Sequence, residues 1–329
     1  MLEQTGTGAE ILTEQQRTGM VLSIIIPAKN EERMLAMGLP ALARLREFLA
    51  SEVIVVDNGS TDATVRIARE WGAVVLEHPA MTIAGLRNLG AVHAEGEVLV
   101  FLDADVMITD QWRREIANVL ADLRRNGPVI TGSRAGIGTD PGWIEQYWFL
   151  PMAREQKCNY MNSGHLIILK DLFLRLGGFD ETLTTGEDWD LSRRAREQGV
   201  RIVNDPRLPV KHEGYPKSLL QFVRREQWHG MQDFRDFQSF VRSRPAIMAS
   251  LYWLAAISGA MLSLYYRSFP YLIAALLVNS AVCAASALMK RRRYPLNLAV
   301  YFILYHAYFI ARGLSLKERL VRKPCLPQP

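Results

Sequence analysis

Short apolar runs alternate with helix-like segments over the first hundred residues. The β-branched runs lie at 21–26, 53–56, 74–76 and 98–102, and segments with helical spacing occupy roughly 31–49, 61–71 and 82–94 between them. Strands that alternate with helices are typical of a parallel sheet with crossover helices. The pattern therefore predicts an α/β fold with a mostly parallel sheet flanked by helices.

A less regular set of elements follows this repeat. We expect a helix at about 110–125 and a strand at 128–133, after which the periodicity weakens from 135 to 160. A strand at 165–169 and helices near 171–176 and 187–198 come next. Residues 21–244 are accordingly interpreted as one α/β domain, which is a usual size for a single domain.

Beyond Pro245 the chain becomes strongly apolar. Residues 246–266 and 269–289 are two runs of about twenty residues, with Arg267 between them. At about 1.5 Å of rise per residue, each run can cross a hydrocarbon core of roughly 30 Å. We predict two transmembrane helices joined by a very short outer turn, within a membrane region that spans 245–313.

A third apolar segment, at about 295–313, is open to two interpretations. It contains Asn297 and His306 and is followed by a basic tail at 314–329. A third crossing would put that tail outside, against the positive-inside rule. A helix that lies in the membrane interface, or a re-entrant segment, would keep it inside. Both interpretations stay open.

The charge distribution and the cysteine content limit which binding partners and metal sites the chain is expected to have. The net charge is +5, and basic residues gather beside the apolar segments, as at 290–293 and 317–323. This distribution favours an anionic membrane surface over nucleic acid. The three cysteines are far apart, so neither a disulfide framework nor a zinc site is indicated. The polar residues 1–20 are expected to be flexible and argue against a cleaved secretory signal. We therefore expect a membrane protein of the inner or plasma membrane, with its α/β domain in the cytoplasm.

Polar side chains follow three of the predicted strands where each strand ends. Because ligands of open α/β sheets bind outside the carboxyl ends of the strands, these clusters should meet in one crevice. We interpret that crevice as a donor site. Its candidate residues are Pro27, Ala28, Asn30 and Glu31 after the first strand, Asp57 after the second, and Asp103, Ala104 and Asp105 after the fourth.

The sequence Asp103-Ala104-Asp105 is the strongest single signal. Alternate residues of an extended chain point the same way, so both carboxylates can reach one divalent cation, Mg²⁺ or Mn²⁺, and the diphosphate that it bridges. An isolated pair of acids is more often a solvated turn. The position after a buried strand, level with two other polar strand ends, favours the metal site.

Three further groups are candidates for binding and catalysis. Asp57 is placed to accept a hydrogen bond from a base or ribose, and Arg87 could meet a phosphate, although most helical arginines are solvated. Glu187 and Asp188 open a helix after a loop with glycine. Acids in a first helical turn can be simple caps, but Asp188 could also be a general base that the helix dipole keeps ionised.

Together these motifs resemble those of the family-2 glycosyltransferases with the GT-A fold, over about 21–230. The resemblance rests on Ile24 to Glu31, Val55 to Asp62, Leu102 to Asp105 and Gly186 to Asp188. It implies a Rossmann-like nucleotide-diphospho-sugar transferase fold, followed here by C-terminal transmembrane helices. It also implies nucleoside binding by the first two motifs, including Asp57, and diphosphate binding by Asp103 and Asp105 with a divalent metal.

Other details of the resemblance concern catalysis and subtype. It assigns an inverting catalytic base to the Glu187–Asp188 pair, on Asp188, and similar proteins have a metal- or phosphate-facing histidine near His212. A surface histidine there is about equally expected. Processive members carry Q-x-x-R-W, whereas this chain has Arg225 where the tryptophan would stand. Transfer of a single sugar is therefore expected.

The expected function is metal-dependent, inverting transfer of a sugar from a UDP- or GDP-sugar donor to a lipid-linked or membrane-proximal glycan acceptor, with Asn162 to His165 framing the acceptor side. A nucleotidyltransferase that makes the sugar nucleotide would also use paired carboxylates, but residues 27–33 lack the glycine of its phosphate loop. A membrane scaffold with an inactive transferase fold is the non-enzymatic alternative. The presence of Asp103, Asp105 and Asp188 counts against it.

Overall fold

The computed structural model describes residues 22–47, 49–125, 127–153, 159–293 and 297–321. The predictions about the segment 1–20, Cys158, Cys325 and the last part of the basic tail lie outside these residues. The predicted α/β architecture is confirmed: a mixed, mostly parallel sheet has helices on both faces, and a set of long apolar helices follows it.

The described strands form two sheets. The larger has seven strands in the order β3-β2-β1-β4-β8-β6-β9, in which β8 runs antiparallel to both of its neighbours. The smaller has the order β5-β10-β7. The strands are β1 (Leu22–Ala28), β2 (Ser51–Asp57), β3 (Val74–Glu77), β4 (Val98–Leu102), β5 (Val106–Ile108), β6 (Val129–Gly132), β7 (Gly136–Ile137), β8 (His165–Leu169), β9 (Arg201–Asn204) and β10 (Val210–His212).

Helices connect the strands and then continue beyond the sheet. The first predicted helix ends at Ala43, earlier than the 49 expected from its pattern. The helices are α1 (Glu32–Ala43), α2 (Thr64–Trp71), α3 (Ile83–His93), α4 (Asp110–Arg125), α5 (Leu150–Ala153), α6 (Lys170–Arg175), α7 (Glu187–Glu197), α8 (Leu219–Gly230), α9 (Phe237–Arg242), α10 (Arg244–Tyr265), α11 (Pro270–Arg293) and α12 (Leu298–Val321).

The central strands are buried on both faces, which explains their unbroken apolar runs. Every residue of β1 and β4 is buried. One face packs on Leu35, Leu39 and Trp112, and the other packs around Phe101 and Phe173. Burying a large apolar side chain contributes roughly 1.5–3 kcal/mol, so these two layers hold the strand ends in place.

Three helices near the C-terminus are long and apolar enough to cross a membrane, among the described residues: Arg244–Tyr265, Pro270–Lys290 and Leu298–Lys317. This associates the chain with a membrane. The first two form an antiparallel pair around a short turn that contains Arg267, as expected for 246–266 and 269–289. The third, which includes the segment 295–313 from its described start, packs along α8 and also contacts α10 and α11.

Candidate active site

The carboxyl ends of β1, β2 and β4 meet, because these strands are neighbours in the order β2-β1-β4. Asn30 joins the first two ends: its backbone N–H donates to Ser60 Oγ over 2.8 Å, and its Oδ1 accepts from the Thr61 N–H over 2.8 Å. The backbone of Ala28 accepts from the Asn58 N–H over 2.8 Å. The loop 27–31 and the loop after Asp57 therefore form one continuous rim.

Asp57 is buried and oriented by its own loop. Its Oδ2 accepts from the N–H groups of Gly59 and Ser60, both at 2.9 Å. Its Oδ1 is buried and has no hydrogen-bond partner among the described residues. A buried acceptor without a donor is costly, so this atom is poised for a donor on a ligand.

Arg87 occupies the centre of the crevice floor and is fully buried. Its guanidinium donates to Asp103 Oδ1 over 2.5 Å and to Glu187 Oε1 over 2.7 Å. Arg87 thereby links two acids that are 16 and 100 residues further along the chain. The contact with a phosphate that the sequence suggested stays a prediction. The Nε–H of the guanidinium is buried and has no hydrogen-bond partner among the described residues, so both acids can stay bonded while a further acceptor is bound.

Glu187 and Asp188 begin α7 beside the loop that leads into β8. Ser163 Oγ donates to Glu187 Oε1 over 2.9 Å, and Asn162 Nδ2 donates to Asp188 Oδ2 over 3.0 Å. Burial, and then the neighbouring Glu187, raise the pKa of Asp188 well above its usual range. The helix dipole was expected to keep this carboxylate ionised, but desolvation outweighs the dipole here.

The smaller sheet places His212 above the second acid of the motif. Strand β5 directly follows Asp105 and pairs antiparallel with β10, so His212 lies opposite Val106. His212 Nε2 is 3.7 Å from Asp105 Oδ2, while its Nδ1 accepts from the Gly214 N–H over 3.1 Å. This bond assigns the ring proton to Nε2, which faces Asp105. Metal ligation by His212 stays a prediction, and it would require that proton to move.

Two glycines bring backbone close to the carboxylates. A Cβ at Gly164 would stand 2.6 Å from Asp103 Oδ2, and a Cβ at Gly214 would overlap with Asp105 Oδ2. Ala104, between the two acids, is buried. Only glycine allows backbone to approach this closely, so the acids are confined from two sides.

The acids of the crevice have the chemistry of a divalent-cation site. Burial, followed by Asp105 and Asp103, raises the pKa of Glu31 to about 7, and burial also raises the pKa of Asp105. Carboxylate oxygens are the donors that Mg²⁺ and Mn²⁺ prefer. No group of three His, Cys, Asp or Glu side chains is gathered closely enough to hold an ion by itself in the described ranges. The donors fit such an ion if a ligand supplies further oxygens.

An aromatic stack beside Asp105 escaped the sequence analysis. The rings of His212 and Tyr215 stack at 4.1 Å, and those of Tyr215 and Phe149 stack at 4.2 Å. The Arg225 guanidinium lies 4.7 Å from the centre of the Phe149 ring. Phe149 ends a π-helix (Glu145–Phe149), a form often found at functional sites. The weak periodicity of residues 135–160 was the one sign in the sequence of an irregular segment here, but it does not indicate which residues form the stack.

The side chains of residues 162–165 point in two directions, some towards the crevice and one into the core. Asn162 and Ser163 contact the acids of α7 as described above. His165 instead points into the core, where Trp112 Nε1 donates to its Nε2 over 2.8 Å and the Ser133 N–H approaches its Nδ1 at 2.9 Å. Burial lowers the pKa of His165 to about 4. This side chain therefore does not frame an acceptor.

The fold and the acidic strand ends define the class of protein: the catalytic domain has the GT-A fold of nucleotide-diphospho-sugar transferases. A mannosyltransferase of this fold, PcManGT from Pyrobaculum calidifontis in complex with GDP-Man and Mn²⁺, superposes with a TM-score of 0.55 at 22% identity, over 91% of this chain and 87% of that chain. The chain carries a domain of glycosyl transferase family 2, whose family model matches residues 23–174.

Curated relatives point to the same family. Pre-mycofactocin glycosyltransferase of Mycobacterium tuberculosis is 26% identical over 226 residues, which cover 64% of this chain and 46% of that protein. Glycosyltransferase AglE of Haloferax volcanii is 27% identical over 193 residues, which cover 55% of this chain and 63% of that protein. The chain thus spans roughly half of the length of the relatives that it matches.

Proposed function

We propose that this chain is a glycosyltransferase that transfers a sugar from a nucleotide-diphosphate donor to an acceptor hydroxyl, with inversion. The observation that carries the proposal is the convergence of Asp57, Asp103, Asp105 and Asp188 on one crevice. The family-2 domain and the fold shared with a mannosyltransferase that binds GDP-Man support it.

Each acid has a separate part in this reaction. Asp57 Oδ1 would accept a hydrogen bond from the nucleoside. Asp103 and Asp105 would hold Mg²⁺ or Mn²⁺, which would neutralise charge on the leaving diphosphate. Asp188 would take the proton from the acceptor hydroxyl as its oxygen bonds to the anomeric carbon of the sugar. The bond from that carbon to the nucleotide diphosphate breaks in the same displacement, which inverts the anomeric centre.

The membrane placement supports a lipid-linked acceptor and a catalytic domain on the cytoplasmic side. Helices α10 and α11 are each about 33 Å long or more, at 1.5 Å per residue, so together they cross and return. A hairpin of this kind leaves both of its ends on the catalytic side. The basic residues 290–293 end this hairpin, as the positive-inside rule requires of the cytoplasmic side.

Helix α12 supports the interface alternative for the third apolar segment. It keeps contact with the catalytic domain from Tyr301, against Tyr147, to Ser315, whose hydroxyl donates to the backbone of Gln227 over 2.8 Å. A helix that crossed the bilayer would leave the domain within a turn or two. Ile303 and Ile310 are exposed on α12 and could face lipid. We infer that α12 lies along the membrane surface.

Sugar transfer by the purified full chain tests this function. The Asp103→Asn, Asp105→Asn double variant should lose transfer to the level seen with excess chelator, because the donor diphosphate then lacks its counter-charge. Asp171→Asn, which changes an exposed acid at the start of α6, should retain the wild-type rate. Unchanged transfer by the double variant in the presence of chelator would overturn the mechanism. Thermal unfolding of each variant establishes that it is folded.

A further inference from the structure

The apolar helices and the catalytic domain line an open groove with a volume of about 490 Å³. We call it the hairpin cavity, and its walls are mainly apolar. Cavities of roughly 300–1,000 Å³ with such walls hold small ligands or parts of larger ones. Side chains from the π-helix, α10, α11 and α12 line it, among them Trp148, Arg244, Met248, Ser286, Met289 and Tyr305.

The hairpin cavity lies at the end of the hairpin that adjoins the catalytic domain. Arg244 and Pro245 begin α10, whereas Ser286 and Met289 are in the last turns of α11. Trp148 of the catalytic domain lines the cavity from the other side. Because the hairpin crosses the membrane in the proposed placement, this end is at the level of the lipid head groups. In that position the cavity would be surrounded by lipid, so a lipid is the expected occupant.

The charges around the hairpin cavity select an anionic lipid. Arg244 lines it, and the Lys290 ammonium lies 3.4 Å from the centre of the Trp148 ring. Basic side chains beside a membrane attract lipid phosphates. The cavity therefore offers apolar walls for a chain and basic groups for a phosphate.

The π-helix connects this cavity to the crevice. Trp148 lines the cavity, and the next residue, Phe149, stacks on Tyr215. Tyr215 in turn stacks on His212, which lies beside Asp105. A series of contacting side chains, Phe149, Tyr215 and His212, therefore leads from Trp148 at the cavity to Asp105 in the crevice.

We propose that the hairpin cavity binds the apolar chain of a long-chain lipid phosphate whose glycan head is the sugar acceptor. Arg244 would bind the phosphate, and the head group would extend along the aromatic stack towards Asp188. This proposal rests on the function proposed above. It adds a substrate class, a lipid phosphate, and a site for it that is separate from the donor crevice.

Photolabelling of the full chain tests the site without any need for turnover. The probe is a polyprenyl phosphate with a diazirine on its chain, in phosphatidylcholine nanodiscs. We expect labelled peptides from the start of α10, from the last turns of α11 and from the π-helix. Met289 lines the open side of the cavity and is 64% exposed, so Met289→Trp should obstruct that side and reduce labelling about tenfold, equivalent to 1.4 kcal/mol. Leu288→Trp is the matched control, since this exposed neighbour on α11 does not line the cavity.

The head group is tested with competitors and a charge variant. Arg244→Gln should weaken labelling by the phosphate probe but not by the corresponding neutral polyprenol, and Arg242→Gln on α9 should change neither. Equal labelling of the Met289→Trp and Leu288→Trp variants would overturn the proposal. Equal competition by phosphatidylglycerol would also do so, because an ordinary bilayer lipid would then fill the cavity. Intact, specific labelling by a chain that transfers no sugar would instead contradict the proposed function alone.

Discussion

At the scale of single residues, the site depends on how closely neighbouring groups confine its acids. Gly164 and Gly214 are pressed against Asp103 and Asp105, Arg87 is bonded to Asp103, and Asn162 is bonded to Asp188. None of these contacts needs to touch a substrate to affect the reaction. Each of them fixes where a carboxylate lies or how readily it ionises.

Gly214→Ala should displace the Asp105 carboxylate, because the added Cβ overlaps with its Oδ2. A misplacement of about 1 Å can cost roughly 100-fold in rate, so we expect a loss of kcat/KM of that order with the fold retained. Gly136→Ala is the control, since its Cβ would meet its nearest neighbour, a carbonyl oxygen, at 3.4 Å. Equal kcat/KM for the two variants would contradict this account of Gly214.

The pKa of Asp188 predicts how sugar transfer varies with pH. If Asp188 is the base proposed above, it acts when ionised, so its raised pKa means that kcat/KM falls as the pH drops below neutrality. Asn162→Ala removes a hydrogen bond to the ionised carboxylate and should raise this pKa further. The rising limb of the pH profile should therefore move to higher pH, by about one unit.

The matched control for this pH profile is Asn159→Ala, at an exposed position in the same loop. Its profile should coincide with that of the wild type. A profile of Asn162→Ala that also coincides with the wild type would show that the bond to Asp188 does not tune the base.

At the scale of elements, the docking of α12 on α8 decides how the membrane part meets the catalytic part. Arg312 on α12 bonds to Glu226 over 3.0 Å and to Asp233 over 2.7 Å. Leu304 of the same helix packs with Trp148 and Phe222 in a separate apolar cluster. These positions, with 301, 308 and 315, recur at helical spacing and form one docked face.

Arg312→Leu should destabilise the full chain, since it removes one of the two arginines bonded to the buried Glu226 and also the arginine bonded to Asp233. Arg225 remains 3.2 Å from Glu226, so the cost should stay below the about 3–5 kcal/mol of a buried charge left wholly unpaired. The expected readout is a clearly lower unfolding temperature in detergent. Lys317→Leu, on an exposed position of the same helix, should change it little. If both variants unfold at the wild-type temperature, the docked face contributes nothing to stability.

The elements show which predictions from sequence succeed and why others do not. Strands β1, β2 and β4 were predicted because burial on both faces leaves an unbroken apolar run. Their carboxyl ends were expected to meet because the strands of a parallel sheet all end at the same edge. The pairing of β5 with β10 was not predicted, since strands of three residues carry no period. The bond of Arg87 to Glu187 joins residues 100 positions apart, which no local pattern reveals.

At the scale of the whole molecule, the proposed placement of the hairpin determines which side of the membrane each part would face. The turn at Arg267 lies at one end of α10 and α11, and the catalytic domain lies at the other. Two crossings by this hairpin, as proposed above, would return the chain to the side on which it began. The polar face of α12 can remain on that same side.

Ser268→Cys should react with a membrane-impermeant maleimide in intact cells, because the proposed placement puts the turn between α10 and α11 on the outer side. Glu95→Cys, on an exposed part of the catalytic domain, should react only after lysis. Both variants are built in a chain whose Cys158, Cys283 and Cys325 are replaced by alanine. Labelling of Glu95→Cys in intact cells would contradict the cytoplasmic placement.

The two ion pairs of Arg87 have a consequence for the stability of the folded domain when no ligand is bound. The folded chain brings its own permanent cation to the floor of the crevice, where two carboxylates would otherwise repel each other. In the mechanism proposed above, this arginine would keep the two carboxylates together even when no divalent ion is bound. The folded domain would then remain intact between one donor molecule and the next, even where free divalent ions are scarce.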